Sequence, residues 1–152
     1  LHNRGCGFNL IKDHPNSLGP NKKPLHTLSP TIWSKDGSLD FITGTRGGRY
    51  QPQLLAQTIL PYILEESSFE EIMKKPRWTI EYFGSDTTSN IKFEFLNESE
   101  LSILEDKGHN ILIENKLIGG YGPVSTIYKN SDGNFIGVPD IRVGTEKAFN
   151  SS

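Results

Sequence analysis

The sequence predicts one layered domain of the mixed α/β (α+β) class. Runs that alternate apolar and polar residues occur before, between and after helical patterns, as in a layered domain. Two Asp-Gly dipeptides, at 36–37 and 132–133, are typical of hairpin turns and favour antiparallel pairing. The 152 residues are enough for one hydrophobic core and do not require a second domain.

The first thirty residues predict irregular structure. DHPNSLGPNKKP carries three prolines and is expected to be a surface loop. LHNRGCGFNL, in contrast, looks like a strand entering mid-fold, and a chain that is numbered from Leu1 is expected to be a fragment or a processed subunit. TIWSKDGSLDFITG then predicts a β-hairpin that turns at Asp36 and Gly37.

Two helices follow the hairpin in the predicted order. The first begins at Gln51, and Pro61 is expected to kink it or end it. The apolar residues expected to pack this helix onto a sheet are Leu54, Leu55, Ile59, Leu60 and Ile63. SFEEIMKKP predicts a short second helix capped by Ser67 or Ser68, with acidic residues at its start and lysines at its end.

The remaining residues predict strands around one more helix. RWTIEYF and IKFEFL alternate apolar and polar residues and predict two antiparallel neighbours joined by the polar loop GSDTTSN. NESELSILEDKG predicts a helix capped by Asn97 or Ser99 and ended by Gly108. HNILIENK and PVSTIYKNSDGNFIGV predict further strands, the second of them turning at an Asp-Gly pair.

Composition argues against several classes of function. Sixteen basic and eighteen acidic residues give a net charge of −2 without a long basic run, which disfavours nucleic-acid binding. No apolar stretch approaches the length of a membrane helix, so we expect a soluble protein, with the cytoplasm slightly favoured over secretion. The single cysteine, Cys6, excludes an internal disulfide, and the four scattered histidines form no zinc pattern with it.

The stretch GTRGGRYQPQ carries three glycines between a predicted strand and a predicted helix. Glycine allows positive φ and close approach, so backbone N–H groups can converge there, and the helix start adds positive dipole character. Such a turn suits an anion or a developing oxyanion. The alternative is an ordinary tight turn that needs glycine for its geometry alone.

NKKPLHTLSPTIWSKDGSLDFITGTRGGRYQPQ resembles the small-subunit core of the gamma-glutamyltransferases (gamma-glutamyltranspeptidases). IMKKPRW, LEDKGHNI and GVPDIRVGT are similar to later segments of that family, in the same order, so the resemblance covers nearly the whole chain. It implies the C-terminal part of a small subunit with the four-layer αββα fold of N-terminal-nucleophile hydrolases. In that fold two stacked antiparallel sheets lie between helix layers. The resemblance assigns Gly47 and Gly48 to the oxyanion hole through their backbone N–H groups.

The resemblance also points to substrate-binding residues in the PLHTLSPT loop. The family usually has two adjacent serines there, which bind the glutamyl α-carboxylate, and this chain has His26 and Thr27. Thr27 keeps the hydroxyl, whereas His26 is larger and can donate, accept or carry charge. Alternatively, His26 is a partly exposed loop residue with no substrate contact.

LHNRGCGF departs from the family's LNNQMDDF, in which a glutamine and an aspartate hold the substrate's α-amino group. Arg4 and Gly7 occupy those positions, and an arginine cannot hold a cationic amine. Either other residues recognise the amine, or the acyl group lacks it, as a glutaryl-like group does. Arg4 then pairs with a substrate carboxylate or with an internal acid such as Asp13. The segment between Phe8 and Pro20 is also shorter than the family's lid loop, which predicts a more open cleft.

The catalytic threonine of the family is not in this sequence. Its mark is a subunit start resembling TTH, because the nucleophile uses its own α-amino group as base. The resemblance implies two partners: an upstream small-subunit segment carrying the threonine, and a large subunit whose arginine grips the substrate carboxylate. It implies a gamma-glutamyl or glutaryl-like amide as substrate, an acyl-enzyme passed to water or an amine, and no cofactor. The alternative is a non-catalytic homologue, a scaffold subunit that binds a carboxylate or a partner chain.

Overall fold

The computed structural model describes residues 3–81 and 90–144. Its strands and α-helices are β1 (Thr31–Lys35), β2 (Ser38–Thr45), α1 (Gln51–Leu64), α2 (Phe69–Lys74), β3 (Trp78–Glu81), β4 (Asn90–Phe93), α3 (Glu98–Asp106), β5 (Asn110–Ile113), β6 (Val124–Lys129) and β7 (Phe135–Val138). The strand expected at the start of the chain is wrong, because Asn3–Gly7 forms a 3-10 turn. The predicted loop GSDTTSN lies outside the described residues, apart from Asn90.

Four strands form an antiparallel sheet in the order β1-β2-β6-β7. The predicted hairpin is confirmed: Asp36 and Gly37 have φ angles of 51° and 76°, the positive values that a type I′ turn requires. Its second strand pairs with β6, so that Thr43 lies opposite Thr126. Pairing with β1 ends at Thr43, whereas pairing with β6 continues to Thr45, where the glycine-rich loop begins.

Helices α1 and α2 cover one face of this sheet and bury the core against it. The buried apolar residues are Phe41, Leu54, Leu55, Ile59, Phe69, Ile72, Met73, Val124 and Val138. The predicted packing of Leu54, Leu55 and Ile59 is confirmed, but Leu60 and Ile63 are about half exposed. Leu60 lies on the side of α1 opposite Leu54 and Thr58, and Ile63 lies at the edge of the buried stripe in the last turn of the helix.

The structure shows where α1 ends and which residues cap α2 and α3. Pro61 does not end α1, which continues to Leu64 and closes with the Glu65 N–H donating to the Pro61 carbonyl at 3.0 Å. Capping boxes start the other two helices: Ser68 pairs reciprocally with Glu71 at α2, and Asn97 does so with Glu100 at α3. The structure thus selects Ser68 over Ser67 and Asn97 over Ser99 as the capping residues.

A second sheet contains β3, β4 and β5. The antiparallel pairing of β3 with β4 is confirmed. Strand β5, however, runs parallel to β4, which corrects the expectation of antiparallel pairing throughout. The reason is the intervening helix α3, since a crossover helix returns the chain to the same end of the sheet.

The four-stranded sheet presents an apolar row on the face opposite α1 and α2. Ile32, Ile42 and Ile127 lie side by side across three strands. Ile32 is 74% exposed, Ile127 48% and Phe135 53%, so within the described ranges much of this face is open to solvent. Among the described helices, none is long and apolar enough to cross a membrane.

Candidate functional site

The glycine-rich loop follows the central strand β2 and leads directly into helix α1. Gly48 has a φ of +56° and opens a 3-10 turn, Gly48–Tyr50, which continues into α1 at Gln51. The turn is closed by the Tyr50 N–H, which donates to the Gly47 carbonyl at 3.0 Å. Within the described residues, the N–H groups of Gly47 and Gly48 donate to no protein acceptor. Two adjacent backbone donors are therefore available beside the start of a 14-residue helix.

A groove of about 380 Å³ lies between the ends of β2 and β6, next to this loop. It is lined by Pro30, Ile42, Thr43, Gly44, Thr45, Arg46, Pro123, Ser125 and Ile127. The exposed Arg46 immediately precedes the paired glycines. The lining of the groove is mostly apolar and includes Ile42 and Ile127, which belong to the apolar row on the same face of the sheet.

Gln51 fixes the start of α1 to the loop that precedes β1. Its side chain is buried, and its Oε1 accepts from the Ser29 N–H at 3.0 Å. Pro30 also lies against Gly44, since a Cβ built on that glycine would be 3.7 Å from Pro30. The segment 28–30 thus runs alongside the strand end from which the glycine loop departs.

Two of the predicted binding residues are in direct contact. The guanidinium of Arg4 donates a hydrogen bond to the hydroxyl of Thr27, and both residues are half-buried. The turn Asn3–Gly7 packs on the same loop through Gly7, whose ideal Cβ position is 3.6 Å from Leu25. His26, the third predicted binding residue, has an exposed side chain. The structure therefore joins Arg4 to Thr27, and residues 28–30 connect that pair to the glycine loop.

A buried cluster of four charges, which sequence patterns did not reveal, joins the ends of β3 and β4 to the segment after β7. Arg77 Nη1 is 2.5 Å from Asp140 Oδ2, and Arg142 Nε donates to Glu94 Oε1 at 2.6 Å. Arg142 Nη1 also reaches Asp140 Oδ1 at 3.2 Å, so the two guanidiniums and two carboxylates form one neutral network. We call this the four-charge cluster.

Burial alone would raise the pKa of the Asp140 carboxyl. The adjacent Arg77 charge and the N–H bonds from Arg142 and Val124 outweigh burial and hold the pKa below its usual range. The only sequence signal for this cluster was the position of its arginines in KKPRW and PDIR, which the family resemblance had singled out. Burial of the glutamate Glu94 could not be predicted, since its partners lie 17 and 48 residues away.

The two carboxylates of the four-charge cluster also accept hydrogen bonds from backbone N–H groups. Glu94 Oε1 accepts from the Ile118 N–H and Asp140 Oδ2 accepts from the Val124 N–H, both at 2.8 Å. The segment between them, 118–124, leads into β6 beside the glycine loop. No group of three or more His, Cys, Asp or Glu residues in the described ranges is arranged to hold a metal ion.

The family model for gamma-glutamyltranspeptidase matches residues 1–149. Curated relatives include the oxamate amidohydrolase proenzyme of Klebsiella pneumoniae, 28% identical over 92% of this chain and 27% of that protein. The glutathione hydrolase-like YwrD proenzyme of Bacillus subtilis is 30% identical over 82% of this chain and 23% of its own length. The chain thus spans about a quarter of the length of these relatives.

Comparison with solved structures identifies the fold. The gamma-glutamyltranspeptidase T380A mutant of Helicobacter pylori superposes with a TM-score of 0.74 at 22% identity, covering 92% of this chain and 79% of that one. The transpeptidase CapD of Bacillus anthracis gives 0.66 at 27% identity, covering 87% and 78%. The predicted N-terminal-nucleophile hydrolase fold is confirmed, and the described residues supply part of its layers. The chain belongs to the gamma-glutamyltranspeptidase family.

Proposed function

We propose that this chain is the C-terminal part of the small subunit of an amidohydrolase or acyltransferase of gamma-glutamyltransferase type. The observation that carries the proposal is the Gly47 and Gly48 loop, whose two N–H groups have no acceptor within the described residues at the end of a central strand. Preorganised donors of this kind stabilise a tetrahedral oxyanion by about 3 to 4 kcal/mol each. Family membership supplies the chemistry for which such donors are used.

In the proposed reaction, a threonine from an upstream segment attacks the carbonyl carbon of a side-chain amide. Its α-amino group takes the hydroxyl proton, and the carbonyl oxygen becomes an oxyanion that accepts from the Gly47 and Gly48 N–H groups. The carbon–nitrogen bond then breaks, and the proton passes to the leaving amine. Water repeats the sequence on the acyl-enzyme ester and releases the acid, while an acceptor amine would give transfer instead.

The remaining parts of such a site would come from other segments. Several relatives are named as proenzymes, which supports a precursor cut into a large and a small subunit. The apolar row formed by Ile32, Ile42 and Ile127 supports this assignment, because the stacked sheet of the αββα fold would cover it.

The contact between Arg4 and Thr27 favours an acyl group that bears a carboxylate and lacks a free amine. A guanidinium only donates hydrogen bonds, so its presence beside the Thr27 hydroxyl suits an anion and repels an ammonium group. One relative is named for oxamate, an amide with a carboxylate and no ammonium group. We therefore place glutaryl-like and short dicarboxylic amides ahead of gamma-glutamyl amides as substrates.

The test is an assay of the full-length protein with gamma-glutamyl-p-nitroanilide, glutaryl-p-nitroanilide and oxamate. We expect cleavage of the precursor into two chains on a denaturing gel, followed by turnover of at least one amide. A fully cleaved protein that hydrolyses none of them and transfers no acyl group to an amine acceptor would contradict the proposal and favour a scaffold subunit.

A further inference from the structure

In the segment 118–124, the backbone of Gly122 lies against the proposed oxyanion loop. A Cβ built on Gly122 would lie 2.4 Å from the nitrogen of Gly47 and 2.8 Å from Thr45 Oγ1, distances that real Cβ atoms do not show. Gly122 also has a φ of +63°, which L side chains rarely adopt. The Thr45 hydroxyl donates to the Gly122 carbonyl at 2.8 Å and holds the two segments together.

Both ends of that segment are fixed by the four-charge cluster. Ile118 is bonded through its N–H to Glu94, and Val124 is bonded through its N–H to Asp140. Both carboxylates are fully buried and are held in turn by arginines. The position of Gly122 is therefore set by a rigid part of the molecule that lies outside the glycine loop.

The glycine loop needs such external support. It contains Gly44, Gly47 and Gly48 within five residues, and glycine restricts the backbone least. An oxyanion donor works only when it is held in place before the charge develops, and a misplacement of about 1 Å can lower a rate on the order of 100-fold.

We infer that Gly122 and Thr45 are positioning residues that fix the Gly47 amide for oxyanion binding. This inference rests on the proposed function. Gly122 supplies a surface without a side chain on which the Gly47 backbone rests, and Thr45 ties the two backbones by one hydrogen bond.

The experiment compares three variants of the full-length protein. Thr45→Val keeps the side-chain shape and removes the hydrogen bond to Gly122. Gly122→Ala introduces the clash with Gly47. Gly120→Ala is the matched control in the same turn, because its added Cβ would meet only the Ile118 methyl at 4.0 Å. The readouts are amide hydrogen exchange in the peptide that contains Gly47 and Gly48, where the hydrogen-bonded Tyr50 and Gln51 amides report on the turn, and kcat and KM for the best amide substrate.

We expect Thr45→Val to raise amide exchange in that peptide and to lower kcat about tenfold, with KM changed by less than about twofold. Gly122→Ala should lower kcat on the order of 100-fold, while Gly120→Ala matches the unaltered protein in both readouts. Thr45→Val keeps the test decisive should Gly122→Ala fail to fold. Exchange in Thr45→Val equal to that of Gly120→Ala overturns the inference, whatever the activity. If exchange rises in Thr45→Val but the unaltered protein hydrolyses no amide, the positioning stands and the proposed function fails.

Discussion

Arg77 and Asp140 form a buried ion pair, with Arg77 Nη1 2.5 Å from Asp140 Oδ2. They are 63 residues apart in the chain, and their pairing joins the start of β3 to the segment after β7. Because Asp140 also accepts from the Val124 N–H, the same pair fixes the start of β6. Removing the Asp140 charge would leave the buried Arg77 guanidinium without the carboxylate that it contacts.

Asp140→Asn should therefore destabilise the full-length protein by about 3 to 5 kcal/mol, the usual cost of breaking a buried pair from one side. The matched control is Glu65→Gln, which breaks the exposed pair of Glu65 with Lys75 and should cost less than about 1 kcal/mol. Urea unfolding followed by circular dichroism measures both changes. Equal effects of the two substitutions would show that the four-charge cluster adds nothing beyond a surface pair.

The lowered pKa of Asp140 predicts that the folded protein loses stability in acid. The pKa of Asp140 is lower in the folded protein than the value of about 3.9 expected when unfolded, so the unfolded state binds its proton first as the pH falls. The stability contributed by the ionised group is complete above about pH 4 and is lost as the pH falls through the lower folded pKa. Unfolding free energies measured from pH 2 to 6 should show a steeper acid slope than those of Asp140→Asn. Parallel slopes would be evidence against this assignment.

The sequence was informative wherever a local rule decides the structure. Asp36 and Gly37 identify the hairpin because few other dipeptides adopt two positive φ angles. A serine pair followed by two glutamates likewise indicates the start of α2, although only the structure shows that Ser68 and not Ser67 is the cap. Local patterns do not contain the contacts that join distant segments. The close approach of Gly122 to Gly47 is therefore visible only in the folded chain.

Other features were decided by tertiary context in the same way. Whether β5 would run parallel or antiparallel to β4 depended on the path of α3. The buried state of Glu94 depended on arginines that meet it from 17 and 48 residues away. The family resemblance located the glycine loop and the Arg4 and Thr27 positions, but only the folded chain shows that the latter two touch.

The apolar row on the face of the four-stranded sheet opposite α1 and α2 predicts that the isolated 1–152 chain aggregates or folds poorly. Exposed Ile32, Ile127 and Phe135 are expected to drive association, since the complete protein would bury this face. Light scattering should detect aggregates of the isolated chain, and replacing the three residues with serine should reduce them. A monomeric isolated chain that melts in one sharp cooperative transition would contradict the prediction.

Substrate choice can be tested at Gly7, where an added Cβ would make ordinary van der Waals contact with Leu25 at 3.6 Å. Gly7→Asp restores an acidic partner for a substrate ammonium group. A charge-assisted hydrogen bond to that group is worth about 1.5 to 3 kcal/mol. The ratio of kcat/KM for gamma-glutamyl-p-nitroanilide to that for glutaryl-p-nitroanilide should therefore rise by about ten- to a hundredfold. Gly5→Asp adds the same charge in the same turn at an open position and serves as the control. A ratio that stays fixed in Gly7→Asp would show that position 7 does not face the substrate.

The oxyanion role of Gly47 and Gly48 is tested most directly by the rate of acyl-enzyme formation in Gly48→Ala, measured by rapid mixing with the full-length protein. Alanine at this position meets no atom within 4 Å but is strained by the positive φ, so Gly37→Ala in the hairpin turn, with φ +76° and the same open space, is the matched control for backbone strain. We predict that Gly48→Ala lowers the acylation rate by about 10² to 10³ through misplaced oxyanion donors, whereas Gly37→Ala leaves it unchanged at a similar loss of stability. Equal acylation rates in the two variants would contradict the assignment of Gly47 and Gly48 to the oxyanion hole.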